Sequence, residues 1–164
     1  MKEEKKLEKL VKKWDGSLEQ AERIGEEVSK SGIRYYSEIP EELCKRLIPV
    51  YEKRAEDCDV WFGSAAEMCV HIKDFDRAIK NYMLSRKYVD AAKIAKEHIK
   101  ENEGILDKIL KAAQEDAAEY KKSGMKSWCP EAMLAEVAEI CGKESLVNYY
   151  RWEHKRWIDK YWGP

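Results

Sequence analysis

Threonine is missing from all 164 positions, and valine occurs only eight times. Strands draw on β-branched and aromatic residues, so these shortages argue against a sheet protein. Proline (four) and glycine (eight) are scarce as well, leaving few breaks between long stretches of Ala, Leu, Lys and Glu, all good helix formers. Together these imply an all-α fold. An excess of one charge sign is also lacking: 31 Lys and Arg face 32 Asp and Glu, for a net charge of −1. A balanced surface gives no general pull toward nucleic acid or an anionic membrane. No apolar run exceeds a few residues, which excludes a spanning helix of about 20 residues. The opening MKEEKKLEKLVKKW is too charged for a signal peptide. The five cysteines, at 44, 58, 69, 129 and 141, are odd in number, and no two form a C-x-x-C. That excludes a disulfide framework and implies free thiols packed as small hydrophobes in a reducing, cytoplasmic setting.

What is present is charge of both signs. Charged residues make up 38% of the chain, against about 25% in ordinary soluble proteins. They suit helix surfaces laced with opposite-sign pairs three and four residues apart. Enrichment in Lys and Glu is also a pattern of thermophilic proteins.

Apolar spacing and punctuation predict nine helices. The first spans Lys2 to Trp14, with Leu7, Leu10, Val11 and Trp14 on one stripe and Asp15-Gly16 as its stop. Ser17 and Gln20 form a possible capping box for the second, which Gly32 is placed to close. The connector IRYYSEI leads to Pro40 and a third helix reaching Asp57, with a kink or break expected at Pro49. Asp59 caps the fourth, which reaches Lys73. The fifth and sixth cover Asp76 to Ser85 and Val89 to Lys100, and ENEG ends the sixth. The seventh runs from Ile105 to Ser123 and stops at Gly124. The eighth opens at Pro130 and closes at Gly142, and the ninth runs from Glu144 nearly to the end.

One phrase is written twice. Phe75, Asp76, Ala78 and Ile79 return thirteen residues later as Tyr88, Asp90, Ala91 and Ala92. Each helix thus holds alanines that let axes approach closely and aromatics, such as Phe75, Tyr82 and Tyr88, that fill holes. A weaker echo lies 68 residues on, where Met133 to Tyr150 follows the pattern of Ala65 to Tyr82, with Ile140 over Ile72 and Tyr150 over Tyr82. Amphipathic helix pairs cannot bury their apolar faces alone, so pairs stack.

The segment FGSAAEMCVHIKDFDRAIKNYMLS, Phe62 to Ser85, resembles one unit of the tetratricopeptide-like α-solenoids. Phe62, Ala65, Ala66 and Cys69 stand at the first-helix core positions. Phe75, Ala78, Ile79 and Tyr82 stand at the second-helix positions. The next unit, RKYVDAAKIAKEH, starts too soon for a regular period, which is more similar to the irregular solenoids of vesicle-coat and ciliary-transport subunits. The resemblance covers mainly residues 60–100. It implies a single helical-repeat domain over 1–164, about nine antiparallel helices stacked as a right-handed superhelix, and a role in binding rather than chemistry. Relatives that clamp a peptide carboxylate use Lys, Arg and Asn on the inner first-helix face. Here that face offers Gly63, Glu67, Val70 and His71, so the clamp does not carry over.

Catalytic motifs are thin. KSWCPEA, Lys126 to Ala132, is similar to the Trp-Cys-Pro of thioredoxin-like sites, but no resolving cysteine follows before Cys141. A helix N-terminus can favour the Cys129 thiolate; the plainer reading is a helix start with a packing Trp128. Cys69 and His71 are two apart, a poor spacing for zinc. His98 and His154 stand isolated on polar faces. No Gly-rich phosphate loop, G-x-S-x-G or H-E-x-x-H occurs. The expectation is no catalytic residue, no metal and no cofactor.

The last segment, NYYRWEHKRWIDKYWGP, is the richest in binding chemistry. On a helix, Leu146, Tyr150, Trp157 and Tyr161 share one stripe, while Tyr149, Trp152, Arg156 and Lys160 fall on another side. One contact cannot bury both sides. Trp, Tyr and Arg anchor protein interfaces, and aromatics among Arg and Lys also stack single-stranded bases. Three readings fit: a terminal cap, an interface for a protein partner or a second copy, and a nucleic-acid-binding surface that uses the N-terminal lysines as well. The candidate contact residues are Tyr149, Tyr150, Arg151, Trp152, Arg156, Trp157, Lys160, Tyr161 and Trp162. An enzyme would need a pocket with a perturbed group such as Cys129 or His71.

Overall fold

A computed structural model describes residues 2–31, 36, 39–124 and 129–163, with backbone alone for 2–4. Among these residues the protein is all-α, with no strand. Its helices are α1 (Lys2–Lys12), α2 (Leu18–Lys30), α3 (Glu41–Arg54), α4 (Val60–His71), α5 (Phe75–Leu84), α6 (Tyr88–His98), α7 (Glu103–Lys122), α8 (Pro130–Ile140) and α9 (Glu144–Tyr161). The chain forms two compact units, Met1–Ser85 and Arg86–Pro164.

In the first unit α1 packs on α2 and α3, α2 on α3, α3 on α4, and α4 on α5. Its core is built from Leu7, Ile24, Val28, Leu43, Leu47, Ile48, Val50, Met68 and their neighbours. The Ser17 cap forms, its hydroxyl accepting from Gln20 N at 3.3 Å. The reciprocal half of the box does not. Asp15 accepts from both Ser17 N and the Gln20 amide, each at 2.9 Å, so the residue before the turn takes the role assigned to Gln20. Gly32 and most of the IRYYSEI connector lie outside the described residues, as does Trp128.

α3 runs through Pro49 without a break, so of the kink or break expected there the break does not occur. A mid-helix proline costs about 3 kcal/mol. On both sides of it, Leu47, Ile48, Val50 and Tyr51 are buried, and at about 1.5–3 kcal/mol per buried side chain their packing outweighs that cost.

Within the first unit, Arg54 closes the bottom of α3. The residue is 4% exposed, and its guanidinium grips Glu22 of α2 through Nε at 3.1 Å and Nη2 at 3.0 Å. It also stacks on Trp61, 3.7 Å from the ring centroid. The guanidinium lies against Gly25, where any Cβ would fall 1.6 Å from Nη1. Glycine is therefore required in the middle of α2, at a position the sequence alone presents as a weak spot in a helix.

In the second unit α6 packs on α7 and α8, α7 on α8, and α8 on α9. The alanines of the repeated phrase are fully buried: Ala78 in the first unit, Ala91 and Ala92 in the second. Gly104, expected in the loop after the sixth helix, lies in the first turn of α7. The connector is capped instead by Asn102, whose amide donates to the carbonyls of Ala95 and Lys96.

The turns explain why the phrase repeats. After α4 and after α8 the chain makes the same three-residue link, Ile72-Lys73-Asp74 and Cys141-Gly142-Lys143. The middle residue has φ of 62° and 70°, and the last has ψ of 72° and 70°. The residues that follow α5 repeat these values, with Arg86 at φ 60° and Lys87 at ψ 61°. Asp74 N reaches back to Cys69 O, and Lys143 N to Ala138 O, both at 2.9 Å, which completes a Schellman-type closure. By these turns the two hairpins register 69 residues apart, Phe75 with Glu144. The 68-residue echo in the sequence is thus one residue out of structural phase. Val147 and Tyr150 occupy the buried positions of Ala78 and Asn81.

Candidate functional site

α9 has eighteen residues and follows α8, which has eleven. At 1.5 Å per residue, α9 outruns its packing partner by about 10 Å. Its inner stripe is set by spacing: Leu146, Val147, Tyr150, His154 and Trp157 are buried or half-buried. The Tyr150 hydroxyl accepts a 2.7 Å bond from the Gln114 amide of α7, and Tyr150 is only 8% exposed. It holds α9 to its own unit, which removes it from the contact set expected from sequence. Trp157 is half-buried on the same stripe and packs on Tyr161, with ring centroids 5.4 Å apart.

The other side is open. Tyr149 is 53% exposed and Trp152 54%, with Arg156 and Lys160 exposed on the same helical row. The Arg156 guanidinium lies 4.6 Å from the Trp152 ring centroid, and its Nη1 bonds Glu153 at 3.2 Å. Stacking and ion pair together hold the Trp–Arg couple in a fixed geometry. Arg151 points toward α8, where its Nη2 meets Glu139 at 2.8 Å. Lys160 lies 5.2 Å from the Tyr161 ring centroid. Trp162, just past the helix, is 77% exposed. Of the nine residues expected here, eight keep solvent-facing or half-open surface and one is core.

The candidate chemical groups are tied up. Cys129, at the N-cap of α8, is buried. Burial and its hydrogen bond to the Glu131 carboxylate, Sγ to Oε2 at 3.0 Å, push its thiol up to about 11. That is the opposite of the thiolate a helix N-terminus can favour. Burial would raise the Glu131 carboxyl, but the bonds from Cys129 and Lys121 outweigh it and hold the group below its usual range. Cys69 is buried and pushed up to about 12 by burial, and His71 donates Nε2–H to the Ile39 carbonyl at 3.0 Å. These two do not converge, and no group of three metal-ligating side chains occurs among the described residues. Gly63, expected on a presenting face, is buried.

Sequence reasoning missed one concave feature. In the first unit a hollow of about 690 Å³ is lined by Glu52, Phe62, Arg77, Lys80 and Leu84. Glu52 is gripped by Arg77 through two bonds, at 2.8 and 2.6 Å, and by the buried Asn81 at 2.9 Å. Burial would raise the Glu52 carboxyl, but these bonds outweigh it and keep the group low, so it has no proton to give near neutral pH. The signal was a carboxylate on one helix and an Arg-x-x-x-Asn on another, which only folding brings together.

No helix among the described residues is long and apolar enough to cross a membrane. Comparisons of the chain with protein-family models, with curated proteins and with solved structures returned no match.

Proposed function

We propose that the protein is a helical-repeat interaction subunit that holds a protein partner through the outer face of α9. The observation that carries this is the stripe Tyr149, Trp152, Arg156 and Lys160, open to solvent although Trp, Tyr and Arg are the residues that anchor interfaces. The inner stripe alone is enough to dock α9, so capping the unit does not account for aromatics on the outside. The recurring Schellman-type turn supports reading the chain as a tetratricopeptide-like solenoid wound as a right-handed superhelix. The odd cysteine count supports a reducing, cytoplasmic setting. Self-association through the same face is the alternative occupant that the test separates from a different protein.

The test is a peptide-display selection on the wild type and on a Tyr149→Ser/Trp152→Ser/Trp162→Ser variant with an unchanged melting temperature. The wild type enriches binders that the variant loses, with about 2 kcal/mol or more lost at Trp152 alone. Binders indifferent to the triple substitution would place the binding surface elsewhere. Light scattering on both proteins reports the self-association form.

A further inference from the structure

We infer that the partner held by α9 is an acidic segment of another protein with apolar anchors at helical spacing; this rests on α9 being the contact surface. From Tyr149 to Trp162 the helix carries Arg151, Lys155, Arg156 and Lys160 against Glu153 and Asp159, and Arg151 is already paired with Glu139 of α8. The whole chain has a net charge of −1, so this cationic excess is local. Glu153 is half-buried and spent on Arg156. Lys155 and Lys160 are exposed and have no carboxylate partner among the described residues.

The aromatics are flanked by cations on their own row, with Trp152 already stacked under Arg156. A carboxylate set beside an apolar anchor completes both halves of this surface at once. A second copy does not. A two-fold contact sets the same patch against itself, so Lys155, Arg156 and Lys160 of one copy would face the same cations of the other, with Asp159 as the one exposed acid. Like charges across an interface oppose association.

Two fluorescein-labelled peptides of identical Leu and Phe spacing, one with Glu and one with Gln at every polar position, are titrated with the full chain by anisotropy. The Glu peptide binds about tenfold tighter at low salt, and the advantage shrinks at high salt. Lys155→Glu/Lys160→Glu abolishes the preference, and Trp152→Ala weakens both peptides. Equal affinity for the two peptides overturns the acidic partner while leaving α9 as a surface. Binding that ignores Trp152→Ala overturns α9 itself. Neither peptide binding, tighter binding of an oligothymidine than of the Glu peptide, or a stable dimer broken by Trp152→Ala each overturn the proposal.

Discussion

At the residue scale, two buried charges organise their units. Arg54 needs Gly25 because its guanidinium occupies the space of a side chain. An arginine tip usually yields to an intruding methyl, but here Glu22 and Trp61 pin it from both sides. Gly25→Ala therefore evicts a buried charge from its partner, at a cost of about 3 kcal/mol. Because Arg54→Ala removes the same contacts, the two substitutions together cost clearly less than their sum. A double-mutant cycle by denaturant unfolding checks this, and simple additivity would mean that the guanidinium slides aside freely. Glu131 gives a pH signature. Its folded-state pKa lies below the unfolded value, so the folded state binds fewer protons on acidification. Its contribution is fully present above the ordinary carboxylate pKa of about 4.3 and is lost as pH falls through the lower folded value. Stability measured from neutral pH down to the acid limb falls less steeply in Glu131→Gln than in wild type.

At the element scale, α9 is a helix with two working faces. Tyr150→Ala removes a buried ring and leaves Gln114 without its partner, costing about 3–5 kcal/mol. Tyr149→Ala and Trp152→Ala stay within about 0.5 kcal/mol of wild type. Thermal melts of the three variants separate the faces, and a large loss at Trp152 would mean that its ring is packed. This division was legible beforehand, because a period of 3.6 assigns residues to faces without any knowledge of the neighbour. Tyr150 went astray on the other count: spacing says which residues share a side, not which side is covered. The same limit applies to Pro49, where four buried neighbours carry the helix through without a break, and to the start of α2, where Asp15 takes the role expected of Gln20.

At the scale of the molecule, the chain holds two compact units of similar length, each with its own apolar core. Domains of this size, about 80 residues, fold alone in many cases. Fragments 1–85 and 86–164, expressed separately, each retain helical circular dichroism and a cooperative melt. A fragment that is unfolded alone would show that its core depends on the other half. The fold class and the helix count were set by composition and period, since missing β-branched residues and regular apolar spacing act locally along the chain. So were the two faces of α9 and the glycine stops at Gly16, Gly124 and Gly142, all of which take positive φ. Tertiary structure alone decided that Arg54 fills the space over Gly25, that Glu52 is locked by Arg77 and Asn81, and that Cys129 is a buried thiol rather than a nucleophile. The first two depend on groups from different helices meeting, and the third on the burial of Cys129, none of which a local pattern encodes.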